Sequence, residues 1–108
     1  MTVNELADSL GFVKVCTPDG DRQISGAYCG DLLSWVMGRA SADNVWITIM
    51  SNANIVAVAS LSDVSCILLA EGVTVEDEII ATAQAKGVNI LSSEKSTFEL
   101  AAALGNRV

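Results

Sequence analysis

Residues 45–61 read VWITIMSNANIVAVASL. Five residues rich in β-branched and aromatic side chains run into a polar break, Ser51-Asn52-Ala53-Asn54, after which small apolar residues resume. A short, nearly continuous apolar run suits a strand buried on both faces, and such strands belong to parallel sheets covered by helices. The stretch therefore reads as a strand over 45–49, a tight turn, and a helix over 54–61. The same grammar repeats downstream, with a strand at 65–69, a helix at 75–86 stopped by Gly87, a strand at 88–91 and a helix at 96–104. Strands alternating with helices in this way predict an α/β fold, a mostly parallel sheet flanked by helices with right-handed crossovers.

Upstream the signals are of another kind. Thr2-Val3-Asn4-Glu5 fits a capping box, and Val3, Leu6, Ala7 and Leu10 then recur at helical spacing until Gly11. Residues 12–16 read as a strand, Thr17-Pro18-Asp19-Gly20 as a turn, and 23–28 as the returning strand. An N-terminal helix and a β-hairpin are thus expected ahead of the alternating part. Asp31 is placed to cap a helix over 32–39. At 108 residues, the chain is expected to form a single domain over 1–108.

Composition narrows the function classes. Charged residues make up 18% against the ~25% usual in soluble domains, so some apolar surface is left for a self-interface or partner interface. Trp35, Val36, Met37 and Trp46 are the apolar candidates for a homodimer contact, because large aromatics anchor interfaces. The net charge is −7 and the six basic residues are scattered, which argues against nucleic acid as a partner. The apolar stretch 55–61 falls far short of the ~20 residues that span a bilayer. MTVNELADSL has neither the basic nor the long apolar region of a secretory signal, so a cytoplasmic location and no membrane association are expected.

The chemistry that is missing is equally specific. There is no histidine, no P-loop and no GxSxG, so no Ser-His-Asp triad and no triphosphate cradle of that type. Three widely spaced cysteines, Cys16, Cys29 and Cys66, suggest neither a disulfide framework nor a metal site; Cys16 and Cys66 read as buried, Cys29 as exposed. Glu76, Asp77 and Glu78 read as the dipole-favoured start of a helix. Neither a cofactor nor an enzymatic activity is expected.

Ligands in parallel α/β sheets gather beyond the carboxyl ends of the strands, where helix N-termini leave free N–H groups. That places Ser51, Asn52 and Asn54 at one candidate loop, Gly72 at a second, and Ser92, Ser93 and Lys95 at a third, with Lys95 the only cation among them. Each polar turn reads equally as a plain helix cap.

The run from Ile24 onward resembles the DRTGG domain in ISGAYCGDLLSWVM (24–37), NVWITI with its polar turn (44–54), NIVAVASL (54–61), CILLAEGV (66–73) and VNILSSEKSTFELA (88–101). That domain stands alone, in CBS-containing regulatory pyrophosphatases and in bacterial phosphotransacetylases. It is related to the N-terminal domain of HPr kinase/phosphorylase and to the Mur ligase N-terminal fold. By position, the family's Asp-Arg pair corresponds to Ser51-Asn52 and its Thr-Gly-Gly to Ala70-Glu71-Gly72; Asp21-Arg22 lies before a different strand. The resemblance implies a regulatory or interaction module, homodimeric, binding a nucleotide or other small anionic metabolite. Its alternative is an accessory subunit docked on a larger metabolic or redox enzyme of hydrogenase type. An HPr serine kinase label for such a chain would describe ancestry, since the P-loop and catalytic groups are absent.

Overall fold

In the computed structural model, which describes residues 1–108, the apolar runs lie side by side as the centre of a five-stranded sheet. In chain order the elements are α1 (Val3–Leu10), β1 (Val13–Cys16), β2 (Ala27–Cys29), α2 (Leu33–Arg39), β3 (Val45–Thr48), α3 (Asn54–Ser62), β4 (Cys66–Leu69), α4 (Asp77–Lys86), β5 (Ile90–Ser92) and α5 (Thr97–Leu104). The sheet order is β1-β5-β4-β3-β2; β2 to β5 are mutually parallel and β1 joins β5 antiparallel.

Every residue of β3 and β4 is buried, as strands covered on both faces must be. Alternation then assigns the faces. Trp46, Ile67, Leu69 and Ile90 pack with Val36 of α2 and with α3 and α4. Val45, Ile47, Cys66, Leu68 and Leu91 pack with α1 and α5. Three layers result, helices on each side of one sheet. α1 and α5 both carry complete capping boxes, Thr2 with Glu5 and Ser96 with Glu99. The hydrogen bonds within these boxes hold both glutamates below the usual carboxylate range.

The amino ends of the strands are closed by a polar belt. Buried Asn89 accepts from the Asp19 N–H (2.9 Å) and donates to the carbonyls of Asp19 (2.8 Å) and Ser65 (2.9 Å). Ser65 Oγ donates to the Asn44 carbonyl, and Asn44 Nδ2 donates to the Ser25 carbonyl. Arg22 completes the belt with Nη2 2.8 Å from both Asp43 Oδ1 and Asp63 Oδ1. Burial works against the Arg22 charge, but the hydrogen bonds to these two carboxylates outweigh it and raise its pKa. Asp43 and Asp63 both adopt left-handed backbone, φ 67° and 58°, which aims their side chains at one guanidinium. Arg22→Ala is expected to cost about 1–2 kcal/mol, below the fully buried case because Asp63 is largely exposed, and the loss should shrink in high salt. Urea midpoints at two ionic strengths measure it.

The expected hairpin does not form. The turn at 17–20 is made, but β1 and β2 lie at opposite edges of the sheet. Residues after the turn pair instead with the chain start: Val3 N–H donates to the Arg22 carbonyl, Ile24 N–H to the Met1 carbonyl, and Thr2 bridges Gln23. The returning strand shortens from 23–28 to Ala27–Cys29, because 19–26 serve as a strap beneath the amino ends. Asp31 does not cap α2. Its Oδ1 accepts from Thr48 Oγ1 (2.8 Å) and the Ile49 N–H (2.9 Å), while Leu32 occupies the cap position without a side-chain bond. No helix is long and apolar enough to cross a membrane.

Candidate functional site

At the carboxyl ends of the strands the turns stand open to solvent beside the helix starts. The turn after β3 is partly self-satisfied: Asn52 Oδ1 accepts the Asn54 N–H (3.0 Å), and the Asn52 carbonyl accepts from Ile55 N–H (3.3 Å). Asn52 is thus a local cap, and Asn54 is the first residue of α3. The exposed Ser51, Asn52 and Ala53 also form one wall of a cleft of about 330 Å³, whose other wall is Glu76, Glu78, Ile79 and Thr82 at the start of α4. No cation lines this cleft. Thr82 Oγ1 is committed to the Glu78 carbonyl (2.9 Å), so the polar groups free to meet a ligand are the Ser51 hydroxyl, the Asn52 amide N–H₂ and the two carboxylates.

The remaining candidates form a separate group. Gly72 N–H donates to the Ser93 carbonyl (2.9 Å), Glu71 N–H to the Lys95 carbonyl (2.8 Å), and Lys95 N–H to Ser93 Oγ (3.2 Å). Glu71 and Gly72 take consecutive left-handed conformations, and a Cβ on Gly72 would lie 2.5 Å from Glu94 Oε2. Strand order puts the loop after β5 two strands from the loop after β3, roughly 10 Å at ~4.8 Å per strand. The single site expected from sequence therefore divides. Ser51 and Asn52 line the cleft, whereas Asn54, Gly72, Ser92, Ser93 and Lys95 are not among its walls. Glu76, Glu78 and Thr82 were not legible as site residues. Their acidic run satisfies the dipole of α4, and only the parallel placement of α3 beside α4 brings them to the turn.

Nucleophilic chemistry has little to work with. Burial pushes all three thiols up, Cys66 to about 12, with Asp31 adding to the effect at Cys29. No three His, Cys, Asp or Glu side chains come together as a metal site. At neutral pH, an alkylating reagent is expected to modify exposed Cys29 alone and slowly, and Cys16 and Cys66 only on unfolding; intact-mass spectrometry with and without urea reads this.

Two of the four interface candidates are corrected by burial. Val36 and Trp46 are both 0% exposed, held in the core by facing side chains, and Trp46 Nε1 donates to the Gly30 carbonyl (2.8 Å). Trp35 and Met37 are exposed beside Leu32, and the Arg39 guanidinium stacks 3.8 Å from the Trp35 ring centre.

A family model, the DRTGG domain, matches residues 28–106. No curated protein matches the chain. Among solved structures, one similar chain is the CBS and DRTGG domains of the regulatory region of Clostridium perfringens pyrophosphatase, complexed with its activator diadenosine tetraphosphate. The TM-score is 0.70 at 16% identity, over 94% of this chain and 44% of that one. The chain thus spans less than half of that structure, and the likeness is one of fold.

Proposed function

The chain belongs to the DRTGG domain family, and from that premise we propose that it is a non-catalytic regulatory module that binds a small nucleotide-class metabolite and self-associates. The observation that carries the reading is the cleft at the carboxyl ends, open to solvent and walled by Ser51, Asn52, Glu76 and Glu78. Carboxylates accept hydrogen bonds from ribose hydroxyls and base amino groups, and the Ser51 hydroxyl and Asn52 amide N–H₂ donate to ring nitrogens and carbonyls. The phosphates of such a ligand stay at the solvent rim of the cleft, away from Glu76 and Glu78. The nucleotide activator of the similar pyrophosphatase region supports the ligand class. Phosphoryl transfer is not part of the reading, because it needs cations and a metal positioned on the phosphates.

Amide shifts on titration with AMP, ATP and diadenosine tetraphosphate test the site. They are expected at 51–54 and 76–82. Glu78→Gln should tighten the anionic ligands and Asn52→Asp weaken them, each by roughly 3- to 10-fold at low salt. Shifts confined to α1 and β1, or none at millimolar ligand, would remove the ligand from the reading.

The exposed Leu32, Trp35 and Met37 favour a second element, contact with another protein. Self-association is the form proposed. Docking on a larger enzyme, including one of hydrogenase type, is the alternative, and it would appear as a stoichiometric co-purifying partner.

A further inference from the structure

The two edges of the sheet are not alike. At β1 the edge carries Lys14, ion-paired to Asp8 at 3.0 Å, and the ladder is irregular between Lys14 and Cys16. Charge and bulging are the ordinary means by which an edge strand is kept from pairing with another chain. At the other edge, β2 reads Ala27-Tyr28-Cys29, with no charge, no proline and no register shift. Gly26 O accepts from Val45 N–H and Gly30 N–H donates to Ile47 O, so the backbone groups of 26, 28 and 30 turn toward β3. By the two-residue period of a strand, the N–H and C=O of Ala27 and Cys29 turn outward.

From this arrangement we infer that β2 pairs antiparallel with β2 of a second copy of this chain, about a two-fold axis at Tyr28, joining two five-stranded sheets into one. The inference rests on the self-association reading and names its surface. The sequence is nearly symmetric about that axis: Gly26 faces Gly30 of the second copy, and Ala27 faces Cys29. Both outward-facing residues then fall in hydrogen-bonded pairs, giving four inter-chain bonds from a three-residue strand. The same register sets Asp31 opposite Ser25 rather than opposite its own copy, so a chain of net charge −7 meets itself here without like charges in contact. This self-complementarity is what a closed two-fold contact requires and what an unrelated strand would not supply. Beside the edge, Ala27, Cys29, Ile47, Ala101, Leu104 and Val108 line an apolar groove of about 290 Å³. Phe98, 80% exposed one helical turn before Ala101, gives the neighbouring sheet apolar area to cover.

Hydrogen exchange on the unmodified protein, read by NMR across a concentration series, tests this together with light scattering. Protection of the Ala27 and Cys29 amides, absent at low micromolar concentration and rising in step with the dimer fraction, is the expected result. Cys29→Pro removes an outward N–H where an edge strand tolerates proline, and should raise the dimer dissociation constant roughly tenfold or more. Should that variant fail to fold, the exchange result on the native chain still decides. A dimer whose Ala27 and Cys29 amides stay unprotected overturns the edge pairing and leaves self-association intact, with Trp35→Ala then expected to dissociate it. A monomer at every concentration overturns both.

Discussion

Trp46→Ala is expected to destabilise the domain by about 4–5 kcal/mol, enough to leave much of the chain unfolded at 25 °C if its total stability is at the lower end of the usual range. The side chain is fully buried beneath α2 and α3, so truncation leaves a cavity that neighbouring residues only partly fill. It also strips the Gly30 carbonyl of the indole N–H that meets it at 2.8 Å, just where β2 turns into α2. Trp46→Phe keeps most of the volume and loses the hydrogen bond, at about 1–2 kcal/mol. Urea titration separates the two. A shift of the midpoint with an unchanged slope is expected for Phe, and a cost for Ala no greater than for Phe would show that the site collapses without a cavity.

Asn89→Ala should cost about 3 kcal/mol, although the residue lies just before a short strand. Its amide is 1% exposed and makes three hydrogen bonds, two to Asp19 and one to Ser65. Removal leaves the Asp19 N–H and two carbonyls without their side-chain partner, and stranding buried groups costs more than the bond itself returns. Asn89→Asp is expected to be worse, since the replacement oxygen accepts where the two carbonyls also accept, and it places a charge in a buried position. Melting curves at pH 7 give the order wild type, Ala, Asp. If Ala and Asp melted together with the wild type, the belt would not be closing the amino ends.

What the sequence declared and what it withheld divide along one line. Residues 45–92 alternate apolar strands with helices, and local pattern with period is enough to read a parallel sheet from them. Gly87 and the Thr2–Glu5 capping box likewise announced their helix ends, because their partners lie three or four residues away. The strap could not be read this way. Thr17-Pro18-Asp19-Gly20 signals a turn, but only pairings across the whole chain, Asp19 with Asn89 and Arg22 with Asp43 and Asp63, decide where the chain goes next. The cleft was only partly legible for the same reason. Ser51 and Asn52 were legible from strand-end logic, whereas Glu76 and Glu78 reach the cleft only because α4 lies beside α3. Trp46 looked like an interface anchor by residue type, and the covering of β3 by helices on both faces put it inside.

The strap also sets the order in which the chain can fold. Val13 pairs with Ser92 and Asp19 with Asn89, contacts that close loops of most of the chain's length. Such distant pairings are slow to find, and a topology rich in them folds on the slower side of single domains. During synthesis from the N-terminus, α1 and β1 emerge with neither β5 nor α5 to receive them, so the N-terminal quarter waits as an unpaired amphipathic helix and an apolar strand. The β2-α2-β3-α3-β4 segment, by contrast, is built from neighbours in sequence and is the natural place for structure to begin. Refolding should then show early formation of that segment, followed by a later phase in which the N-terminal quarter docks and amide protection appears at Cys16 and Asp19.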